Sequence, residues 1–123
     1  MKRILVIDDA ATVRMYHSGI LESAGYTTEE AWNGIEALEK ALLEPFDLYL
    51  VDVNMPKLNG YGFLRELRQL EIPQAPAIIV STEAADHDEL QAFRAGANGY
   101  LIKPVSPLQL LTHVRLMLGE AQQ

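Results

Sequence analysis

The chain has 123 residues, of which 49 % are hydrophobic, a formal charge of −7 and no cysteine. That length predicts one domain spanning residues 1–123, and the missing cysteines exclude disulfides and thiolate metal sites, which fits a cytoplasmic protein. No apolar run approaches the roughly 20 residues of a membrane span, and the excess of acids opposes non-specific nucleic-acid binding, which relies on Lys and Arg.

The elements follow in chain order. The start, MKRILVIDD, turns apolar at Ile4–Ile7, a run too short for a signal peptide and cut off by Asp8 and Asp9. Val13, Tyr16, His17, Ile20, Leu21 and Ala24 recur at helical spacing and stop at Gly25. The run Tyr26–Ala31 is more polar and suits an edge strand. Ile35, Leu38 and Leu42 predict a second helix, ended by Pro45. Leu48–Val51 is the next strand. It delivers Asp52 into a loop holding Pro56 and the pair Asn59-Gly60. Phe63, Leu64 and Leu67 mark the third helix. Ile78–Val80 leads to Ser81 and Thr82, and Leu90 and Phe93 mark a fourth helix that stops at Gly96. Tyr100–Ile102 leads to Lys103 and Pro104. The fifth helix has Ser106 as N-cap, Pro107 at its first position, an apolar face of Leu110, Leu111, Val114, Met117 and Leu118, and a stop at Gly119.

Continuous apolar strands alternating with helices predict an α/β domain with a parallel sheet covered on both faces. Such sheets bind ligands beyond the carboxyl ends of their strands. Asp8 and Asp9, Asp52, Ser81 and Lys103 all stand at those ends. One such residue alone reads as a helix cap. Together they do not, because Lys103 cannot cap a helix N-terminus and Asp52 precedes a loop. Converging carboxylates repel one another unless a cation intervenes, and an all-oxygen donor set selects a hard ion such as Mg²⁺. Lys103 supplies a point charge for a phosphate oxygen and Ser81 a hydroxyl donor. These are the parts an aspartyl phosphate requires.

The segments ILVIDDAATVR, DLYLVDVNMPKLNGYGFL, IIVSTEA and AGANGYLIKP resemble, in order and spacing, the receiver domain of two-component response regulators. The single-domain, chemotaxis-type (CheY-like) receivers are the nearest subtype. The resemblance covers the chain end to end. It implies a flavodoxin/CheY-like fold, a doubly wound five-stranded parallel sheet of order 2-1-3-4-5 with five helices. It implies that Asp52 is the phosphoacceptor for a histidine kinase or histidine phosphotransfer domain. Asp8, Asp9, Asp52 and the backbone carbonyl of Asn54 would hold Mg²⁺. Ser81 and Tyr100 would be the switch pair, and Lys103 would contact the phosphoryl group and precede a cis peptide bond to Pro104. Asn54 and Glu83 border the path of the hydrolysing water and would set the phosphate lifetime. The readout surface would be the fourth helix, fifth strand and fifth helix, about Asp86 to Leu118.

The implied activity is a signalling switch rather than an enzyme, limited to its own phosphorylation and dephosphorylation. Its target would be a protein such as a flagellar motor switch. A phosphate sink or relay, or a receiver trimmed from a longer regulator, is the alternative. An aspartyl phosphatase would want an acid at position 54, where Asn54 stands. A flavin-binding relative would need a phosphate-cradling loop after the first strand, where acids stand instead. The charged partners of one class of receiver dimer align with Asn98, Gly99, Gln109 and His113, which predicts a monomer. His17, His87 and His113 read as surface or helix-packing residues, Trp32 as a packing residue, and Arg14 as part of a solvated face unless it helps dock a kinase.

Overall fold

The computed structural model describes residues 1–83 and 85–120. Strands and helices alternate as β1 (Arg3–Ile7), α1 (Ala11–Ser23), β2 (Thr27–Ala31), α2 (Gly34–Leu43), β3 (Leu48–Asp52), α3 (Gly60–Leu67), β4 (Ala77–Ser81), α4 (Asp86–Ala95), β5 (Gly99–Ile102) and α5 (Pro107–Met117). The five strands form one sheet in the order β2-β1-β3-β4-β5, and every neighbouring pair is parallel. The order is the one expected, with the polar β2 at an edge. Ala84 of the STEA run and the chain end at 121–123 lie outside the described residues.

Successive strand side chains point to opposite faces, so each apolar run feeds two cores. Leu5, Ile7, Tyr49, Val51, Ala77 and Ile79 pack beneath α2, α3 and α4. Ile4, Val6, Leu48, Leu50, Ile78 and Val80 pack with Leu21 of α1 and with Leu110 and Val114 of α5. This two-sided burial explains why the strands read as unbroken apolar stretches. It also sets the topology: the chain leaves β1 for β2, then returns across β1 to β3. The switch point therefore lies between β1 and β3, where an open parallel sheet builds its site.

Two helices bury a different stripe from the one their large apolar residues predict. In α2 the buried positions are Gly34, Ala37 and Ala41, whereas Ile35 and Leu42 are 44 % and 58 % exposed. In α4, Ala92 and Ala95 are buried while Leu90 and Phe93 are 49 % and 42 % exposed. At the start of α2 the loop after β3 leaves room only for a small residue. A Cβ on Gly34 would stand 2.5 Å from the carbonyl oxygen of Leu58, closer than packed atoms tolerate. Trp32, expected to pack, is 59 % exposed. The helix ends match expectation: Ser106 accepts a hydrogen bond from the Gln109 amide, and Gly25, Gly96 and Gly119 all have positive φ.

Candidate functional site

Asp8 directly follows β1, and Asp52 is the last residue of β3 rather than the first beyond it. Both carboxylates are nearly buried, at 2 % and 8 % exposure. Asp9 is exposed beside them. Asp8, Asp9 and Asp52 each present an oxygen within 4.8 Å of the others. Lys103, just past β5, reaches across the rim. Its Nζ donates to Asp8 Oδ2 and to Asp52 Oδ1, both at 2.9 Å.

The electrostatics follow from this placement. Burial pushes the Asp52 carboxyl above the ordinary Asp value; the Lys103 hydrogen bond opposes the rise, and Asp8 and Asp9 add to it. Burial alone would lower the Lys103 ammonium, but its bonds and charge pairing with Asp8 and Asp52 outweigh that and raise it. Three acids face one ammonium, so the cluster keeps an uncompensated negative charge. The donor set is all oxygen, with no imidazole or thiolate in the cluster. It fits a hard divalent ion such as Mg²⁺.

Backbone geometry holds the acids in place. The free Oδ1 of Asp8 accepts from the Ala10 amide at 2.9 Å, fixing the turn into α1. Arg14 donates from Nη1 to the Asp8 carbonyl at 2.7 Å and from Nε to Glu30 at 2.9 Å. It is therefore turned inward as a brace for the site, not spread on a solvated face. Its spacing from the two acids carries no signal of this; only the fold brings Glu30 alongside. After Asp52 the loop folds back tightly. The Gly60 amide donates to the Val53 carbonyl at 2.9 Å, and a Cβ at Gly60 would lie 2.3 Å from the Asp52 carbonyl oxygen. Asn59 then caps α3 by accepting from the Gly62 amide. Lys57 adopts a left-handed φ of 68°, and the Gly34 amide binds the Leu58 carbonyl at 3.0 Å. The tight loop read from Pro56 and Asn59-Gly60 is thus held at both ends. Asn54 is exposed on it.

Ser81 is the last residue of β4 and 1 % exposed. Its Oγ accepts from the Glu83 amide at 3.0 Å, so its hydroxyl hydrogen is still available to donate. Tyr100 on β5 donates its hydroxyl to the Glu83 carbonyl at 2.6 Å. The two residues assigned to the switch thus meet on the backbone of one loop residue. The Lys103–Pro104 peptide bond is cis. His17 is buried near the site, and burial lowers its pKa; the Asp8 charge opposes that and the Lys103 charge adds to it. His87 and His113 lie apart from the cluster, His113 bonding the Gln109 carbonyl on its own helix. The expected site residues lie on the rim or in the loops beside it, except Tyr100, which sits within β5, and no buried side-chain N or O among the described residues lacks a partner.

A family model described as the response regulator receiver domain matches residues 4–115. The transcriptional regulatory protein ResD of Bacillus subtilis is 35 % identical over 121 residues, covering 98 % of this chain and 50 % of ResD. The chemotaxis protein CheY of Thermotoga maritima is 35 % identical over 111 residues, covering 89 % of this chain and 92 % of that protein. Among solved structures, the chemotaxis response regulator CheY4 of Vibrio cholerae superposes with a TM-score of 0.91 at 34 % identity, covering 96 % of this chain and 99 % of that one. The signal receiver domain of a signal transduction histidine kinase from Syntrophus aciditrophicus gives 0.88 at 32 % identity, covering 97 % and 91 %. The chain spans about half the length of the transcriptional regulators it matches.

Proposed function

The chain belongs to the response regulator receiver family, and on that premise we propose that it is a phosphorylation-activated switch whose phosphoacceptor is Asp52. Receiver domains are signalling domains rather than enzymes in the ordinary sense; they bind Mg²⁺ at an acidic pocket and interact with histidine kinases and downstream effectors. The observation that carries the assignment is the bridge from Lys103 to Asp8 and Asp52 within the carboxylate cluster.

A carboxylate oxygen of Asp52 forms the new bond to phosphorus, and the bond from phosphorus to the donor's imidazole nitrogen breaks. The bonding pair leaves with the imidazole. Lys103 is positioned to neutralise a phosphoryl oxygen, because its ammonium already rests on the Asp52 oxygen. Ser81 offers its free hydrogen to another. Asp8, Asp9, Asp52 and the Asn54 carbonyl would hold Mg²⁺, which neutralises charge on the phosphoryl oxygens when bound. With a proton on its other ring nitrogen the donor leaves as neutral imidazole, so this chain need supply no general acid, consistent with Asn54 standing where a phosphatase would want an acid.

The new group adds about two negative charges and shifts the domain only through contacts that differ between two states. Ser81 and Tyr100 share the Glu83 backbone, so a pull on Ser81 is felt at Tyr100 and on the surface of α4, β5 and α5. A protein docked on that surface is the output; a flagellar motor switch is one such target, and the likeness to chemotaxis proteins supports a chemotaxis role. A phosphate sink or relay would share the adduct chemistry and lack that docking step.

Intact mass after incubation with a small phosphodonor and Mg²⁺ tests the assignment. One phosphoryl adduct is expected, abolished by EDTA and by Asp52→Asn. An absent adduct together with failure to bind beryllofluoride would overturn it.

A further inference from the structure

The connections from α2 to β3 and from α3 to β4 meet where the strands begin, at the opposite end of the sheet from the carboxylates. There Ala41, Leu42, Leu43, Pro45, Ile72 and Pro73 line a cleft of about 210 Å³. Leu42 is 58 % and Leu43 81 % exposed. The helix does not need these leucines for its own packing, since Gly34, Ala37 and Ala41 make its buried stripe. Contiguous exposed apolar surface of this kind marks docking sites.

The rim says what kind of partner fits. Glu44 lines the cleft, and Glu39 and Glu71 stand exposed beside it in the chain. Neither Glu39 nor Glu71 forms an ion pair among the described residues. Two cations near the cleft are already engaged: Arg3 by Glu29, Glu44 and the Pro45 carbonyl, and Lys40 by the Glu30 carbonyl. A second copy would bring the same acids and a charge of −7, and an anionic bilayer would also repel them. We infer that this cleft docks a short basic amphipathic segment of another protein. Its apolar side chains fill the cleft and its Lys or Arg residues meet Glu39 and Glu71.

The site is separate from the switch. The cleft adjoins the start of β3, and Asp52 ends it, roughly 13 Å away at about 3.3 Å per residue. Docking there leaves the phosphoacceptor rim and the α4–β5–α5 surface open, so it is independent of phosphorylation.

The test uses a fluorescein-labelled helical peptide with leucines on one face and lysines on the other. Fluorescence anisotropy gives its affinity, and amide NMR shifts of the full chain locate it. Shifts centred on residues 39–45 and 71–73 are expected. Affinity should fall at least about tenfold in Leu43→Asp, a change of about 1.4 kcal/mol, fall also in Glu39→Lys with Glu71→Lys, and be unchanged in Asp52→Asn. Leu43 is exposed enough that its replacement leaves the fold intact. Any of four results would overturn the inference: no saturable binding, shifts centred on α4–β5–α5, equal binding of a peptide with glutamates in place of lysines, or an undiminished affinity in Leu43→Asp. Self-association of the free chain, or co-sedimentation with anionic vesicles, that Leu43→Asp abolishes would also overturn it, by assigning the cleft to another occupant.

Discussion

At the scale of single residues, the backbone around Asp52 sets the tightest constraint. A Cβ at Gly60 would sit 2.3 Å from the Asp52 carbonyl oxygen and 3.1 Å from Val51 Cγ1. Those atoms belong to the central strand and cannot swing aside as a surface side chain would. Gly60→Ala should therefore cost about 1–3 kcal/mol of stability, the usual range for forced overpacking, and slow phosphorylation of Asp52. Urea unfolding and adduct formation would show it; an unchanged midpoint and rate would mean the loop can relax. Asn54 and Glu83 make a second prediction. Both are exposed beside the rim, where we propose that their polar groups orient the water that hydrolyses the phosphate. Exchanging both for bulky or basic residues should lengthen the adduct's lifetime, read by the decay of intact mass. An unchanged decay would assign hydrolysis to other groups.

At the scale of elements, α5 is tied back to the turn before β2. Tyr26 donates its hydroxyl to Glu120 Oε1 at 2.5 Å. Burial first, then this bond and the Glu120 charge, push the phenol from 10.0 up to about 12. A raised pKa means the folded chain holds the proton more firmly than the unfolded one. The stabilisation is complete below pH 10.0 and is lost as pH rises toward about 12. The stability gap between wild type and Tyr26→Phe should thus be widest near neutrality and shrink across that alkaline window. Denaturant unfolding at several pH values measures it, and a gap that stays constant would show that the phenol does not titrate with folding. Tyr26 was legible only as the start of a polar strand, because its partner lies 94 residues away. The same limit explains α2 and α4. Apolar periodicity located both helices. It could not show that their alanine and glycine faces turn inward, because the size of the gap against the sheet is a tertiary property. The strands were legible because burial on both faces leaves a continuous apolar run in the chain itself.

At the scale of the whole molecule, the site was legible because a parallel sheet delivers all its strand ends to one rim. Asp8, Asp52, Ser81 and Lys103 each end an apolar run, so topology alone brings them together. Arg14 was not, because its role depends on Glu30 arriving from the neighbouring strand. The same view bears on self-association. Asn98 spends its side-chain oxygen on Arg68 and on the Ala77 amide. Gly99 offers no side chain, and a Cβ there would meet Met117 at 3.3 Å. His113 is bonded within α5. The positions that carry intersubunit ion pairs in one class of receiver dimer therefore have nothing to pair with. The first turn of α4 also carries Asp86, Asp88 and Glu89, so the same face of a second copy would bring like charge. Like charges brought within the roughly 8 Å screening length of physiological salt repel. The exposed Leu90 and Phe93 on α4 are then free for a different protein rather than for a second copy. The beryllofluoride-loaded chain should run at the mass of one chain in light scattering, at low and at physiological salt alike. A dimer that forms only on activation and disappears in Phe93→Asp would show that apolar contact outweighs the charge, and the α4–β5–α5 surface would then be a self-association face.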